Sequence, residues 1–194
     1  MQSESFTVLR HSIHAILSNV PWGHWVVMAV LTWIIAGLLL VRKKCSVYAA
    51  VAMGLAFFVS LFLLEAAVVM RLCGNYPYDS GLTWGVDRLV HPSVSEWAEL
   101  FSNVGVFIPF GLFLSEYLSI TKHFSTWRRL GLVTIFGFGL SLCIESLQLV
   151  LRVGFFELTD LVMNTLGAFL GAGVAALIRR FLRPEWARND IIDR

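Results

Sequence analysis

Charge is scarce in this chain. Fifteen Lys and Arg stand against 13 Asp and Glu in 194 residues, 14% of the total, for a formal net charge of +2. So small a surplus excludes the basic surface that nucleic acid binding requires, and no nucleic acid partner is expected. Cysteine is scarcer still: Cys45, Cys73 and Cys143 show no C-x-x-C or other metal-ligand spacing, so three unpaired thiols are expected. No Ser-His-Asp, metal-ligand or phosphate-loop pattern is present. No metal or cofactor is therefore expected. Internal repeats and low-complexity segments are also missing, and no stretch between the apolar runs is long and polar enough for a soluble domain.

What the chain has instead is apolar sequence. It is 57% hydrophobic with a mean hydropathy of +0.74, too apolar for a soluble domain of this length. The fold class this implies is an all-α membrane protein. Five runs are long enough to cross a bilayer as helices: about 25–41, 47–70, 103–120, 130–151 and 158–182. Before them, Phe6, Leu9, Ile13, Ile16, Leu17 and Val20 recur at helical spacing opposite Arg10, His11, His14 and Ser18. Residues 1–21 thus read as a short amphipathic helix on the membrane surface, ended by Pro21. His11 and His14 lack a third ligand and read as surface polarity. The first twenty residues carry one Arg and no Lys, and no small-x-small site comes after the first run, so that run is expected to be a retained span. Residues 22–182 form one transmembrane domain and 183–194 a polar tail. Ser93-x-x-Glu96 has the form of a capping box, so span three has an interfacial start at Ser93.

The Lys and Arg count sets the orientation. Eleven of the 15 fall on one side of the five spans and four (Arg10, Arg71, Arg88 and Arg152) on the other. Positive residues stay in the cytoplasm, which puts the N-terminus outside, the C-terminus inside and the loop 71–102 outside.

In that orientation the strong polar residues of the spans gather in the outer half. Glu145 is ~9 Å below the outer end of span four and Glu65 ~8 Å below that of span two. Asn103 opens span three, and Asp160 and Asn164 come just after the start of span five. Helical spacing puts Glu145, Gln148 and Arg152 on one stripe, and Asp160, Asn164, Gly167 and Gly171 on another. The inner halves contain almost no strong polar groups. Ionisable groups in lipid are costly and mark functional sites. The functional reading is an outward polar site, with Glu145 and Asp160 as candidate catalytic acids and Asn103, Gln148, Arg152, Asn164 and Glu65 as binding residues. The alternative is internal glue: Arg152 paired with Asp160, and Gln148 bonded to Asn164. Gly167-x-x-x-Gly171 allows close backbone approach and offers a face for a homodimer.

Three stretches carry a family resemblance. Asn103-Val-Gly-Val-Phe-Ile-Pro-Phe-Gly111 resembles the N-x-x-x-F-x-P-F-G signature of VanZ-like membrane proteins. Ser141-Leu-Cys-Ile-Glu145-Ser-Leu-Gln148, with Arg152, resembles their S-x-x-I-E-x-x-Q-x-x-x-R stretch. Asp160 to Gly171 resembles their D-x-x-x-N-T-x-G-x-x-x-G, with Thr159 where many members have a preceding Asp. The resemblance covers about 95–180. It implies a small multi-span protein of the bacterial cytoplasmic membrane, linked through the family's founding member to antibiotic resistance against teicoplanin, a lipid-tailed glycopeptide. It does not supply a mechanism.

Three functions stay open. The site binds a membrane lipid or lipid-linked envelope component, with Trp84 and Trp97 of the outer loop covering it. Or it is an enzyme on a lipid-linked glycan or phosphate, dividing acid and base work between Glu145 and Asp160, with Asp87 and His91 at hand. Or it is a small transporter, against which the lack of a repeat argues. For the orientation, a periplasm-dependent phosphatase fused after Arg194 is expected to be inactive; an active fusion overturns it.

Overall fold

The computed structural model describes residues 29–32, 34, 46–69, 71, 80–85, 93–122 and 124–182. Residues 29–32 and 34 are helical. The remainder of the first expected span, the N-terminal helix and the tail lie outside the described residues, as do Cys45, Cys73, Asp87 and His91. Among the described residues, four helices are long and apolar enough to cross a membrane: α1 (Val47–Leu64, continued by a π-helical turn, Glu65–Val69), α2 (Val94–Lys122), α3 (Thr126–Val150) and α4 (Leu158–Leu182).

Caps fix where these helices begin. Ser46 Oγ accepts from the Ala49 N–H at 3.3 Å. At α2 the capping box is reciprocal: the Ser93 N–H donates to Glu96 Oε2 at 2.7 Å, and the Glu96 N–H donates to Ser93 Oγ at 3.3 Å. The helix is continuous from there through Asn103 and past Pro109. Ser125 caps α3 by accepting from the Arg128 N–H at 3.4 Å. Hydropathy misses the first turn of α3 because Trp127, Arg128 and Arg129 are amphipathic, as an interfacial turn is.

The expectation of a wholly α-helical chain needs one correction. β1 (Gly81–Thr83) pairs in parallel with β2 (Phe155–Glu157), in register Gly81↔Phe155, Leu82↔Phe156 and Thr83↔Glu157. Both segments lie in connections at the same end of the helices. Each supplies the backbone partners that an extended chain beside a membrane needs. This end is called the ribbon end below.

α2 and α4 run in the same direction from the ribbon end, and small residues set their distance. A Cβ on Gly167 would meet the Val104 carbonyl oxygen, one on Gly171 that of Ile108, and one on Gly111 that of Ala168. Backbone therefore lies on backbone at three levels. Ala168 is fully buried, and a Cβ on Gly137 of α3 would strike its methyl group, so three helices meet there. The Gly167/Gly171 face expected to serve a second copy is covered by α2 of the same chain.

At the far end Arg179 of α4 holds Glu116 of α2. Nε donates to Oε1 at 2.9 Å and to Oε2 at 3.0 Å, and Nη2 donates to Oε2 at 2.6 Å. The expectation that the inner halves hold almost no strong polar group is corrected here. Glu116 went unnoticed because its partner is 63 residues away in another helix.

Phe107 and Phe110 meet edge-to-face, 6.3 Å between centroids, in a core with Leu114, Leu118, Val133 and Ile144. Outward faces are as apolar as the core: Ile135, Val150, Val162, Leu177 and Phe181 are all exposed. Such a surface suits hydrocarbon and not water. Ser60, Thr121, Thr134 and Thr165 donate to carbonyls four residues back, which satisfies their hydroxyls within their own helices.

The glycine contacts separate two neighbouring positions. Gly171→Ala forces α4 away from Ile108 and is expected to lower stability by about 1–3 kcal/mol. Nothing lies within 4 Å of a Cβ on Gly173, so Gly173→Ala should be neutral or stabilising by up to ~1 kcal/mol. Thermal unfolding of both variants in the same detergent checks this.

Candidate functional site

The buried face of α3 changes character along its length. Val133 and Gly137 are apolar; Ser141, Glu145 and Gln148 continue the same stripe towards the ribbon end. Each of these three polar side chains reaches a different element. Ser141 Oγ accepts from Asn164 Nδ2 of α4 at 2.9 Å. Glu145 Oε2 accepts from the backbone N–H of Glu157, in β2, at 3.0 Å. Gln148 Nε2 donates to the Ala67 carbonyl oxygen, in the π turn of α1, at 3.0 Å.

Among the described residues Glu145 is the most buried carboxylate, with 2% of its surface exposed. The charged groups that act on it are Asp160, Glu157 and Arg71. Arg71 reaches the site over a glycine: a Cβ on Gly154 would lie 2.6 Å from its Nη1, with the Gln148 side chain at 3.7 Å on the same spot. Glu157 and Glu65 are buried, and Asp160 is half-buried. Glu145, Glu157 and Asp160 thus share the ribbon end with the Arg71 guanidinium. Among the described residues, no three His, Cys, Asp or Glu side chains converge as metal ligands would.

One turn deeper lies an amide layer. Asn164 is 6% exposed. Its Nδ2 is used by Ser141, and its Oδ1 is buried without a hydrogen-bond partner. Asn103 Nδ2, on α2, is likewise buried and unpaired. One donor on α2 and one acceptor on α4 are thus left open.

Above the carboxylates, the ribbon is tied to α4. Thr159 Oγ1 donates to the Trp84 carbonyl oxygen at 2.9 Å. Gly85 comes next with φ +64°, and a Cβ there would collide with the Thr159 hydroxyl and come within 3.7 Å of Glu157 Oε2. Trp84 is exposed beside this rim. Trp97 stacks on Phe101 at 5.5 Å along α2.

Arg152 is placed differently. It adopts φ +56° at the end of α3, in a Schellman turn in which the Arg152 N–H donates to the Leu149 carbonyl oxygen at 3.3 Å and the Val153 N–H to that of Gln148 at 2.9 Å. Its side chain is exposed and makes no ion pair with Asp160. Gln148 and Asn164 do not bond each other either. The internal-glue alternative assumed that the stripes of α3 and α4 face each other directly. α3 and α4 do bond directly, through Ser141 and Asn164, but Glu145 turns to β2 and Gln148 to α1. Arg71, Glu157, Ser141 and Thr159 were missed from sequence. Glu157 gave a signal, as an acid in a short connection three residues before Asp160; Arg71 gave none beyond standing six residues after Glu65.

A model of the VanZ/LLP1 family matches residues 45–179, which span all four helices, both strands and every side chain just described. The chain belongs to the VanZ/LLP1 family. The match begins with α1, so Glu65 and Arg71 fall inside it and not only the stretch from residue 95 onward. Among curated proteins, the chain is 30% identical over 102 residues to Protein VanZ of Enterococcus faecium. That alignment covers 52% of this chain and 58% of that relative, just over half of each. No solved structure matches. Thr159, where many VanZ-like sequences have an acid, now has a local account. A hydroxyl can donate to the Trp84 carbonyl; a carboxylate cannot.

Glu145 has two separable roles. Glu145→Gln keeps an oxygen for the Glu157 N–H and should fold with a stability change under ~1 kcal/mol. Glu145→Ala strands that N–H and should cost ~1–3 kcal/mol. Denaturant titration in detergent distinguishes the two.

Proposed function

We propose that this VanZ/LLP1-family protein is a multi-pass protein of the bacterial cytoplasmic membrane that binds the headgroup of an amphiphilic envelope component at the ribbon end. By this reading the ribbon end faces outward and the C-terminus lies in the cytoplasm. The observation that carries it is Glu145, a carboxylate with almost no exposed surface, held among Glu157, Asp160 and Arg71 on three other elements. Burying ionisable groups together is costly and gives little stability over an apolar core. A ligand whose head enters from the interface while its tail stays in lipid accounts for a site so placed. Gln148, Asn164, Asn103 and Glu65 line it, and Arg152 stands at its rim. Kinship with VanZ extends the ligand class to lipid-tailed glycopeptides of the teicoplanin type.

A second reading, an enzyme, is supported by two acids at the ribbon ends of neighbouring helices, Glu145 on α3 and Asp160 on α4. Two interacting carboxyl groups can divide acid and base work.

Mass spectrometry of lipids retained by the purified protein, with and without Glu145→Gln plus Asp160→Asn, tests both. A binder retains an envelope amphiphile, loses it in graded fashion in the double variant, and yields no product. An enzyme converts it, and the double variant does not. Teicoplanin resistance tracks the same variants: expression in a susceptible host should raise the inhibitory concentration a few-fold, and the double variant should not. Unselective retention of bulk phospholipid by both proteins would sink the proposal.

A further inference from the structure

A headgroup site at the ribbon end, as proposed above, is the premise here, and it leaves the chemistry of the head open. Three observations narrow that chemistry. The first is charge. Around Glu145 stand Glu157 and Asp160 against the guanidinium of Arg71. The sequence on either side of these groups does not reverse the excess. Over 65–103 and 145–164 the sequence holds eight acidic side chains against three arginines. A phosphate head would enter against that field; an ammonium group would enter with it.

The second observation is the amide layer. Asn164 Oδ1 is an open acceptor and Asn103 Nδ2 an open donor, both buried. Asn164 stands one helical turn after Asp160, and its partner Ser141 one turn before Glu145, so the layer lies directly beneath the acids. A hydroxyl both donates and accepts, and so can satisfy either atom; an aliphatic chain would leave it unsatisfied.

The third is the rim. The Trp84 carbonyl is bound by Thr159, next to Asp160, and Gly85 abuts the Glu157 carboxylate. The Trp84 backbone is therefore held beside the acids, and its indole is exposed there. Indole faces attract cations and stack on sugar rings.

We infer that the site selects an amphiphile whose head carries a protonated amine together with hydroxyl groups, as an amino sugar does, and rejects a phosphate head. The amine lies against the carboxylates of Glu145 and Asp160. A hydroxyl reaches down to Asn103 or Asn164.

The test uses the full chain in phosphatidylcholine nanodiscs, with empty discs as the blank. Three probes are titrated below their micelle concentrations at neutral pH: dodecyl glucosaminide, its N-acetyl counterpart and dodecyl phosphate. The free amine should bind about tenfold tighter than the N-acetyl form, and the phosphate weakest. Equal affinity for amine and N-acetyl heads, or tighter binding of the phosphate, overturns the inference while leaving a headgroup site standing. Uptake of all three no greater than by empty discs overturns both. Glu145→Gln plus Asp160→Asn should reduce the amine's preference to about one while N-acetyl binding persists; an unchanged preference overturns the inference. Should that variant not fold, Arg71→Gln serves in its place. Removing the cation should tighten amine binding, and weaker amine binding by the folded variant overturns the inference.

Discussion

Two helices that run the same way through hydrocarbon have little but packing to hold them together. α2 and α4 meet this constraint by omitting side chains. Gly111, Gly167 and Gly171 bring backbone onto backbone, and Ala168 fills the one gap that α3 shares with them. Because the fit repeats at several levels, the two helices cannot slide. Glu116 and Arg179 then fix their rotation at the far end. Everything at the ribbon end inherits this register, from the open amides of Asn103 and Asn164 to the short strands that lead into each helix.

α3 works as the spine of the site. Its buried stripe hands one polar group to each neighbour: Ser141 to α4, Glu145 to β2 and Gln148 to the π turn of α1. Each bond joins segments far apart in sequence and turns an otherwise costly burial into a structural tie. The pattern also explains why so little of the site is redundant. Gly154 must lack a side chain for Arg71 to approach, and Thr159 must donate for the strand end to stay in place.

Much of this was legible beforehand. Spans two and five, 47–70 and 158–182, emerge from hydropathy because lipid tolerates no other composition there. Helical periodicity placed Glu145 and Gln148 on one face and Asp160 and Asn164 on another, and both groups lie at the ribbon end. What periodicity cannot carry is a change of direction between helices. Arg152 falls on the Glu145 stripe only while α3 continues; the Schellman turn at Leu151 turns it out to the surface. Three-residue strands are too short to register as a pattern. Arg71 was legible only as a loop charge, since its role depends on a glycine 83 positions later. The Gly167/Gly171 spacing correctly signalled a close helix contact but not its partner, because a small-residue stripe reads the same within a chain as between chains.

The π turn of α1 holds one more residue per turn than an α-helix would. In a regular helix one added residue swings everything beyond it by about 100° around the axis. Glu65–Val69 thus behaves like a spliced-in residue that re-aims the chain beyond it, Arg71 included, without lengthening the membrane crossing by a full turn. A sequence lacking that extra position could keep every acid of this cluster and still aim its arginine elsewhere. The aim of that arginine therefore depends on one backbone position that the identity of the acids does not reveal.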